Sequence, residues 1–485
     1  MKVFFKGHNF KYDLEHIIRM FCDDISFESS LLTKTERNDP SNYVYFRYLS
    51  NHAVKQVFVV LSYEGTIKAS FRRLDILTTN TEVKRFLARE FYDMMSDILK
   101  VYPPWGILTG VRPLKIVTSS IGNNIPKEQI ISLLQEEYLV REEKAEIAYE
   151  AATNSMEVAK SNTKNSCSVY ISIPFCPSRC DYCSFVSKSI EREFALVDEY
   201  IEKLLEEIAI ISKIIAKHKL SIKSIYVGGG TPTVLNEGLI ERLCNAINQY
   251  LPIVGNIEYT YEAGRPDTIT TGKLEILKKN GVTRISINPQ TFSDKVLATI
   301  GRRHTGKDIY KAFEIAKKVG INNINADLIA GLPRDSYEGF CDSLDKLVEL
   351  RPTAITVHAL TIKRAGQLKE QKITLPKDAA KMVATAYETL KSHEYHPYYL
   401  YRQKGTLENL ENIGYSQRGY EGLYNVYIME ELHTIFSAGA GGVTKIVNQD
   451  SGKIERIFNY KYPLDFIKNF EMVLERKSKT EQLFY

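Results

Sequence analysis

Between Cys167 and Leu360 the sequence repeats one rhythm: a short run rich in β-branched and aromatic residues, a loop, then a stretch with helical periodicity. The runs are CSVYISI, SIKSIYVG, IEYTYEA, RISINPQ, INNINADLIAG and AITVHAL, with amphipathic segments such as YIEKLLEEIAIISKIIAKH and SYEGFCDSLDKLVEL between them. Strands that alternate with helices need crossover connections and therefore pair in parallel, which limits the fold more than any other feature of the chain. Six units in about 200 residues exceed half of a doubly wound fold and fall short of a closed eight-fold barrel. An α/β fold built on an open, partial (β/α)6 barrel is expected over residues 161–394, with the chemistry at the C-terminal ends of its strands.

The flanks read differently. Residues 1–105 have the pattern of a small α+β domain: NYVYFRY, KQVFVVLSYEG and TIKASFRRL as successive strands, then Val83, Leu87, Phe91, Met94 and Ile98 as an apolar helical stripe. Residues 106–160 form a connector, with the Gly/Pro-punctuated WGILTGVRPLKI followed by two charged amphipathic helices from about Pro126 to Lys160. Residues 395–485, aromatic and glycine-rich from HPYYLYRQKG to FSAGAGGVTK and closing in two short helices, read as a C-terminal extension packed on the barrel, on its substrate side.

A net charge of +5 with no Lys/Arg block excludes an extensive nucleic-acid surface. The N-terminus lacks a secretory pattern and the aliphatic runs are strand-sized, so a cytoplasmic protein without stable membrane insertion is expected, and a monomer. Seven cysteines is an odd number for a disulfide framework; Cys22, Cys167, Cys244 and Cys341 stand alone and read as small buried hydrophobes.

The other three cysteines are crowded into CPSRCDYC, directly after the first barrel strand. Cys176, Cys180 and Cys183 have the spacing CxxxCxxC, and three close thiolates suit a soft metal. A structural zinc would want a fourth Cys or His, and none follows within the next thirty residues. Three thiolates can instead hold three corners of a four-iron cluster and leave one iron open. The spacing by itself leaves both metals open, and with zinc comes a non-catalytic interaction module. At later strand ends stand GGGTPT (Gly228, Gly229, Gly230 and Thr231, then Pro232), whose glycines admit a ligand close to the backbone, and the polar Glu262, Gln290, Arg302 and Asp327. An Arg that takes a carboxylate in bidentate fashion and acids that accept from hydroxyls could clamp a zwitterionic amino acid and a ribose.

The stretch YISIPFCPSRCDYCSF resembles the signature of radical S-adenosylmethionine (SAM) enzymes, in the YxxIPFC form of the oxygen-independent coproporphyrinogen III dehydrogenase family. WGILTGVRPLK, YYLYRQK, ENIGY and FSAGAGGVTK are similar to its HemZ-like branch, so the resemblance covers nearly the whole chain. It implies a [4Fe–4S] cluster on Cys176, Cys180 and Cys183. It also implies SAM contacts by Gly228, Gly229, Gly230, Thr231, Glu262, Gln290, Arg302 and Asp327, with Tyr182 beside the adenine and Tyr170 close to the cluster. Tyr170 and Arg302 are then the catalytic candidates, Gly439 and Gly441 support a turn on the substrate side, and Arg402 and Lys404 pair with carboxylates. The implied activity is oxidative decarboxylation of a tetrapyrrole, coproporphyrinogen III, to protoporphyrinogen IX, with an electron donor such as flavodoxin or ferredoxin. Two positions depart from the family: Ser172 replaces a histidine and Phe185 a further cysteine. Both lie beside the expected cluster, which leaves a haem chaperone, or radical methyl transfer or ring opening on a tetrapyrrole, as the alternative.

Overall fold

The computed structural model describes residues 1–28, 42–51, 53–183, 188–361, 376, 378–449 and 451–480, with residues 191–194 for their backbone only. Two compact units emerge: residues 1–149 with 408–410, and residues 150–407 with 411–485.

In the first unit, β1 (Lys2–Lys6), α1 (Lys11–Ile18), β2 (Ser26–Glu28), β3 (Tyr43–Ser50), β4 (Lys55–Tyr63) and β5 (Thr66–Leu74) precede α2 (Asn80–Leu99), α3 (Leu114–Gly122) and α4 (Lys127–Tyr138). The strand order is β2-β1-β3-β4-β5, with β1 parallel to both neighbours and β3 to β5 an antiparallel meander. Thr79 and Glu82 start α2 with a reciprocal capping box, satisfying two otherwise orphaned amides. The expected stripe then buries Val83, Leu87, Phe91 and Met94 in one core with Val44, Phe46 and Val57, and Ile98 packs at its margin. Helix α3 lies inside the segment that the sequence presents as a connector.

Helix α5 (Glu142–Ala159) carries the chain across the division to β6 (Ser166–Ile173), the short pair β7 (Phe175–Cys176) and β8 (Lys188–Ser189), and α6 (Ile190–Lys217). There follow β9 (Ser221–Gly229), α7 (Glu237–Tyr250), β10 (Glu258–Glu262), α8 (Thr271–Lys279), β11 (Arg284–Ser286), α9 (Asp294–Thr299), α10 (Gly306–Val319), β12 (Ile324–Ala330), α11 (Tyr337–Leu350), β13 (Ala354–Ala359) and α12 (Ala379–Ser392). The chain closes with β14 (His396–Arg402), β15 (Glu411–Ser416), α13 (Leu423–Glu430), β16 (Thr434–Ala438), β17 (Val443–Val447), β18 (Ile454–Phe458), α14 (Pro463–Lys468) and α15 (Phe470–Thr480).

All six expected strands form, and β6, β9, β10, β11, β12 and β13 pair in parallel in chain order. Strands β6 and β12 are buried along nearly their whole length, as parallel strands covered on both faces must be. The sheet does not close: it runs β14-β15-β13-β12-β11-β10-β9-β6-β16-β17-β18, so the α/β, partial-barrel expectation holds. The C-terminal segment does more than pack on this barrel. It supplies β15 antiparallel to β13 and β16 parallel to β6, covering the backbone rows that the two outer barrel strands would otherwise expose. Pro397 falls in the edge strand β14, where a missing amide costs no ladder bond. No helix among the described residues is long and apolar enough to cross a membrane.

Candidate active site

The chain leaves β6 through Pro174 into β7, which carries Cys176 and pairs in parallel with β8 (Cys176 opposite Ser189). The loop between them is thus pinned at both ends. Within it, the Cys183 amide donates to the Cys180 carbonyl at 3.0 Å. The Asp181 amide donates to Ile300 O at 3.2 Å and Ser178 Oγ to Gly301 O at 3.1 Å, tying the loop to the segment after α9. Cys176, Cys180 and Cys183 line one cavity of about 480 Å³, a size typical of small-molecule sites. Phe185 lies outside the described residues. Among the described residues no three Cys, His, Asp or Glu side chains converge as a single ion would require. A four-iron cluster takes one thiolate per iron, so its ligands stand farther apart than those of a zinc, and three thiols around a shared cavity fit that donor set.

The glycine run divides its labour. Gly229 has φ +110°, a backbone conformation closed to other residues, and a Cβ there would stand 3.0 Å from Ser172 Oγ. A Cβ on Gly230 would come within 2.4 Å of the Phe175 carbonyl, so glycine lets the cysteine loop cross this strand end. Gly229, Gly230 and Thr231 line the cavity, and Thr231 Oγ1 donates to Cys176 Sγ at 3.5 Å. Gly228 does not line it; its missing side chain makes room for the Tyr226 ring and the Glu262 carboxylate.

Glu262 ends β10 and faces the cavity. Burial pushes its carboxyl up to about 7; hydrogen bonds from Tyr226 Oη, at 2.5 Å, and from the Gly229 amide pull it down, while the Asp327 charge pushes it up. Strand β11 ends at Ser286, and after Pro289 the chain rejoins the sheet at Gln290, a bridge to Leu328 in the left-handed region at φ +70°. A non-glycine residue held there is strained, and its Oε1 is buried without a partner among the described residues. Asp327 on β12 accepts from Asn325 Nδ2 at 2.8 Å and stands 3.6 Å from His358 Nε2. Arg302 donates to Asn288 O at 2.5 Å and to Tyr182 Oη at 3.0 Å, and its buried Nε has no partner among the described residues. Thus Tyr170, Tyr182, Glu262, Gln290, Arg302 and Asp327 all open onto the cavity with the cysteines.

Sequence reasoning named Tyr170 but missed the tyrosines packed against it. Tyr170, Tyr226 and Tyr424 form a stack with centroids 6.1 Å, 6.0 Å and 4.6 Å apart. Tyr399, Tyr401 and His358 continue the lining from β13 and β14. Tyr226 sits opposite Tyr170 in the register of β6 with β9, a pairing that the local pattern does not disclose. Tyr424 leaves no local signal either. Gly439, Gly441, Arg402 and Lys404 are not among the lining residues. Arg402 is buried on β14, and burial pulls its guanidinium down to about 10.

A family model described as the Radical SAM superfamily matches residues 170–347. The chain is 37% identical over 411 residues to the Bacillus subtilis protein named oxygen-independent coproporphyrinogen-III oxidase-like protein HemZ, covering 83% of this chain and 82% of that one. It is 32% identical over 292 residues to the heme chaperone HemW of Bacillus subtilis, covering 58% and 73%. Among solved structures, the coproporphyrinogen III oxidase HemN from Escherichia coli, a radical SAM enzyme, aligns with a TM-score of 0.51 at 20% identity, over 65% of this chain and 72% of that chain, a likeness of fold.

Proposed function

Because the chain belongs to the radical SAM superfamily, in the HemZ-like branch of oxygen-independent coproporphyrinogen-III oxidase-like proteins, we propose that it decarboxylates coproporphyrinogen III oxidatively to protoporphyrinogen IX. The observation that carries this reading is one cavity at the strand ends shared by Cys176, Cys180, Cys183, the Gly229–Thr231 turn, Glu262, Gln290, Arg302 and Asp327. When bound, a [4Fe–4S] cluster and SAM supply a one-electron reductive cleavage that yields a radical able to take hydrogen from carbon. Conversion of a propionate to a vinyl group balances as loss of one hydrogen atom, carbon dioxide and one electron, the electron passing to an external one-electron acceptor; a flavodoxin- or ferredoxin-type protein is the expected reductant.

The chain's own residues bind and orient. The three cysteines would hold three irons and leave the fourth for SAM. Gln290 Oε1 and Arg302 Nε, buried and without a partner among the described residues, are available to a ligand amine or carboxylate. Glu262, half-ionised near neutrality, favours a cationic ligand, and Asp327 is an acceptor for hydroxyls. The tyrosine stack keeps water from this side of the cavity and presents a flat apolar face.

Haem handling without decarboxylation is the second reading, and Ser172 favours it. Its hydroxyl is buried and donates to Ala440 O at 2.8 Å, so it supplies none of the proton transfer that a histidine there could. Anaerobic reconstitution separates the two. About four irons per chain, SAM cleavage on reduction, and protoporphyrinogen formed from coproporphyrinogen III would establish the decarboxylase. SAM cleavage and haem binding with no decarboxylated product would transfer the assignment to haem handling.

A further inference from the structure

We propose that Arg265 sets the reduction potential of the cluster by donating a hydrogen bond to the Cys180 thiolate, with Asp267 as its counter-charge. The inference rests on the cluster reading above. Arg265 follows Glu262 by three residues on the loop after β10 and is 2% exposed. Its Nε and Nη2 grip Asp267 Oδ1 and Oδ2 at 3.0 Å and 3.1 Å, a two-pronged ion pair that fixes the plane of the guanidinium. The remaining arm, Nη1, points at the cysteine loop, 3.6 Å from Cys180 Sγ and 3.3 Å from Ser178 Oγ. The buried His304 side chain stands with Nδ1 at 3.7 Å from Asp267 Oδ1, the oxygen that Arg265 Nε also contacts.

A local ion pair would need none of this placement. An arginine and an aspartate two residues apart can pair in solvent, where the contact is worth little. Here the guanidinium is buried, and its spare donor is spent on a sulfur expected to bind iron. Reduction adds negative charge that spreads onto the ligand sulfurs, so an N–H donor at one of them stabilises the reduced form and raises the potential. Asp267 offsets part of the guanidinium charge through its two-pronged contact. Arg302 also reaches Cys180, but it contacts Tyr182 and Asn288 and lines the expected SAM site, so its replacement would mix two effects.

The test is a redox titration of the reduced cluster's electron paramagnetic resonance signal, in anaerobically reconstituted full-length protein and in R265Q, R265K and D267N. Arg265→Gln should shift the reduction equilibrium at least tenfold against the reduced form, about 59 mV more negative for one electron. Asp267→Asn should shift it the other way, and Arg265→Lys, which keeps charge without the fork, should fall between wild type and R265Q. Wild-type protein that builds no four-iron cluster would defeat the functional reading before any variant is compared. With a cluster in place, unchanged potentials, or shifts of one sign in R265Q and D267N, would overturn the role of Arg265. Should R265Q take up no iron, D267N, which retains the guanidinium, decides by its sign; loss of iron in both would make the pair an assembly element and overturn the proposal.

Discussion

Replacing Tyr226 with phenylalanine isolates the hydrogen bond that governs Glu262. The phenol donates to Glu262 Oε1 at 2.5 Å and opposes the burial that lifts this carboxyl to about 7. A hydrogen bond to a charged group is worth roughly 1.5–3 kcal/mol and one pKa unit about 1.4 kcal/mol. Tyr226→Phe should therefore raise Glu262 by roughly one to two units. At pH 7 its ionised fraction then falls from about one half to between about a tenth and a hundredth. SAM brings an ammonium and a sulfonium, so the proposed site needs the carboxylate. SAM affinity at pH 7 should drop roughly 5- to 50-fold in Y226F and recover toward wild type by about pH 8.5. Anaerobic titration calorimetry from pH 6 to 8.5 measures this, with Glu262→Gln as the baseline for titration of SAM itself. The ring is kept, so the stack with Tyr170 and Tyr424 persists. A Y226F profile that superimposes on the wild-type one, or a wild-type affinity flat between pH 6 and 8, would refute the argument.

Two further outcomes concern stability. Because the folded protein holds Glu262 at about 7 against an ordinary 4.5, this group contributes stability that is present at low pH and lost as pH rises through about 7. Glu262→Gln should thus stabilise the ligand-free protein at pH 8 by on the order of 1–3 kcal/mol, and by far less at pH 5, in urea unfolding curves. Lys477 on α15 and Glu207 on α6 form a fully buried pair at 3.2 Å, and Glu207 also accepts from the Gly439 amide at 2.7 Å. Lys477→Met should cost roughly 3–5 kcal/mol by leaving a buried charge unpaired. Adding Glu207→Gln should restore much of that loss in the same unfolding assay.

What the sequence discloses follows from the range over which each constraint acts. The six strands and the cysteine loop are legible because β-branched runs, Gly/Pro punctuation and a three-thiol spacing are local signals. The same locality explains why Glu262 could be picked out, an acid at the end of an apolar strand where a buried charge needs a reason, whereas Gln290, Arg302 and Asp327 are reached through their order and spacing in the family resemblance. The tyrosine wall depends instead on register. In strands buried on both faces, apolar residues alternate with apolar residues, so period two does not reveal which of Tyr226 and Val227 looks into the barrel. Only the pairing of β6 with β9, which sets Tyr170 against Tyr226 and Ser172 against Gly228, decides it. The C-terminal strands carry this furthest. Strand β16 lies beside β6 although more than 260 residues separate them, with Thr434 opposite Cys167. The turn after β16 meets the same strand, its Ala440 carbonyl accepting from Ser172. A position where the family resemblance puts a histidine is thereby tied into a turn that no local pattern connects to it. That contact bears on the choice between the two proposed readings, and a signature confined to residues 170–185 carries no trace of it.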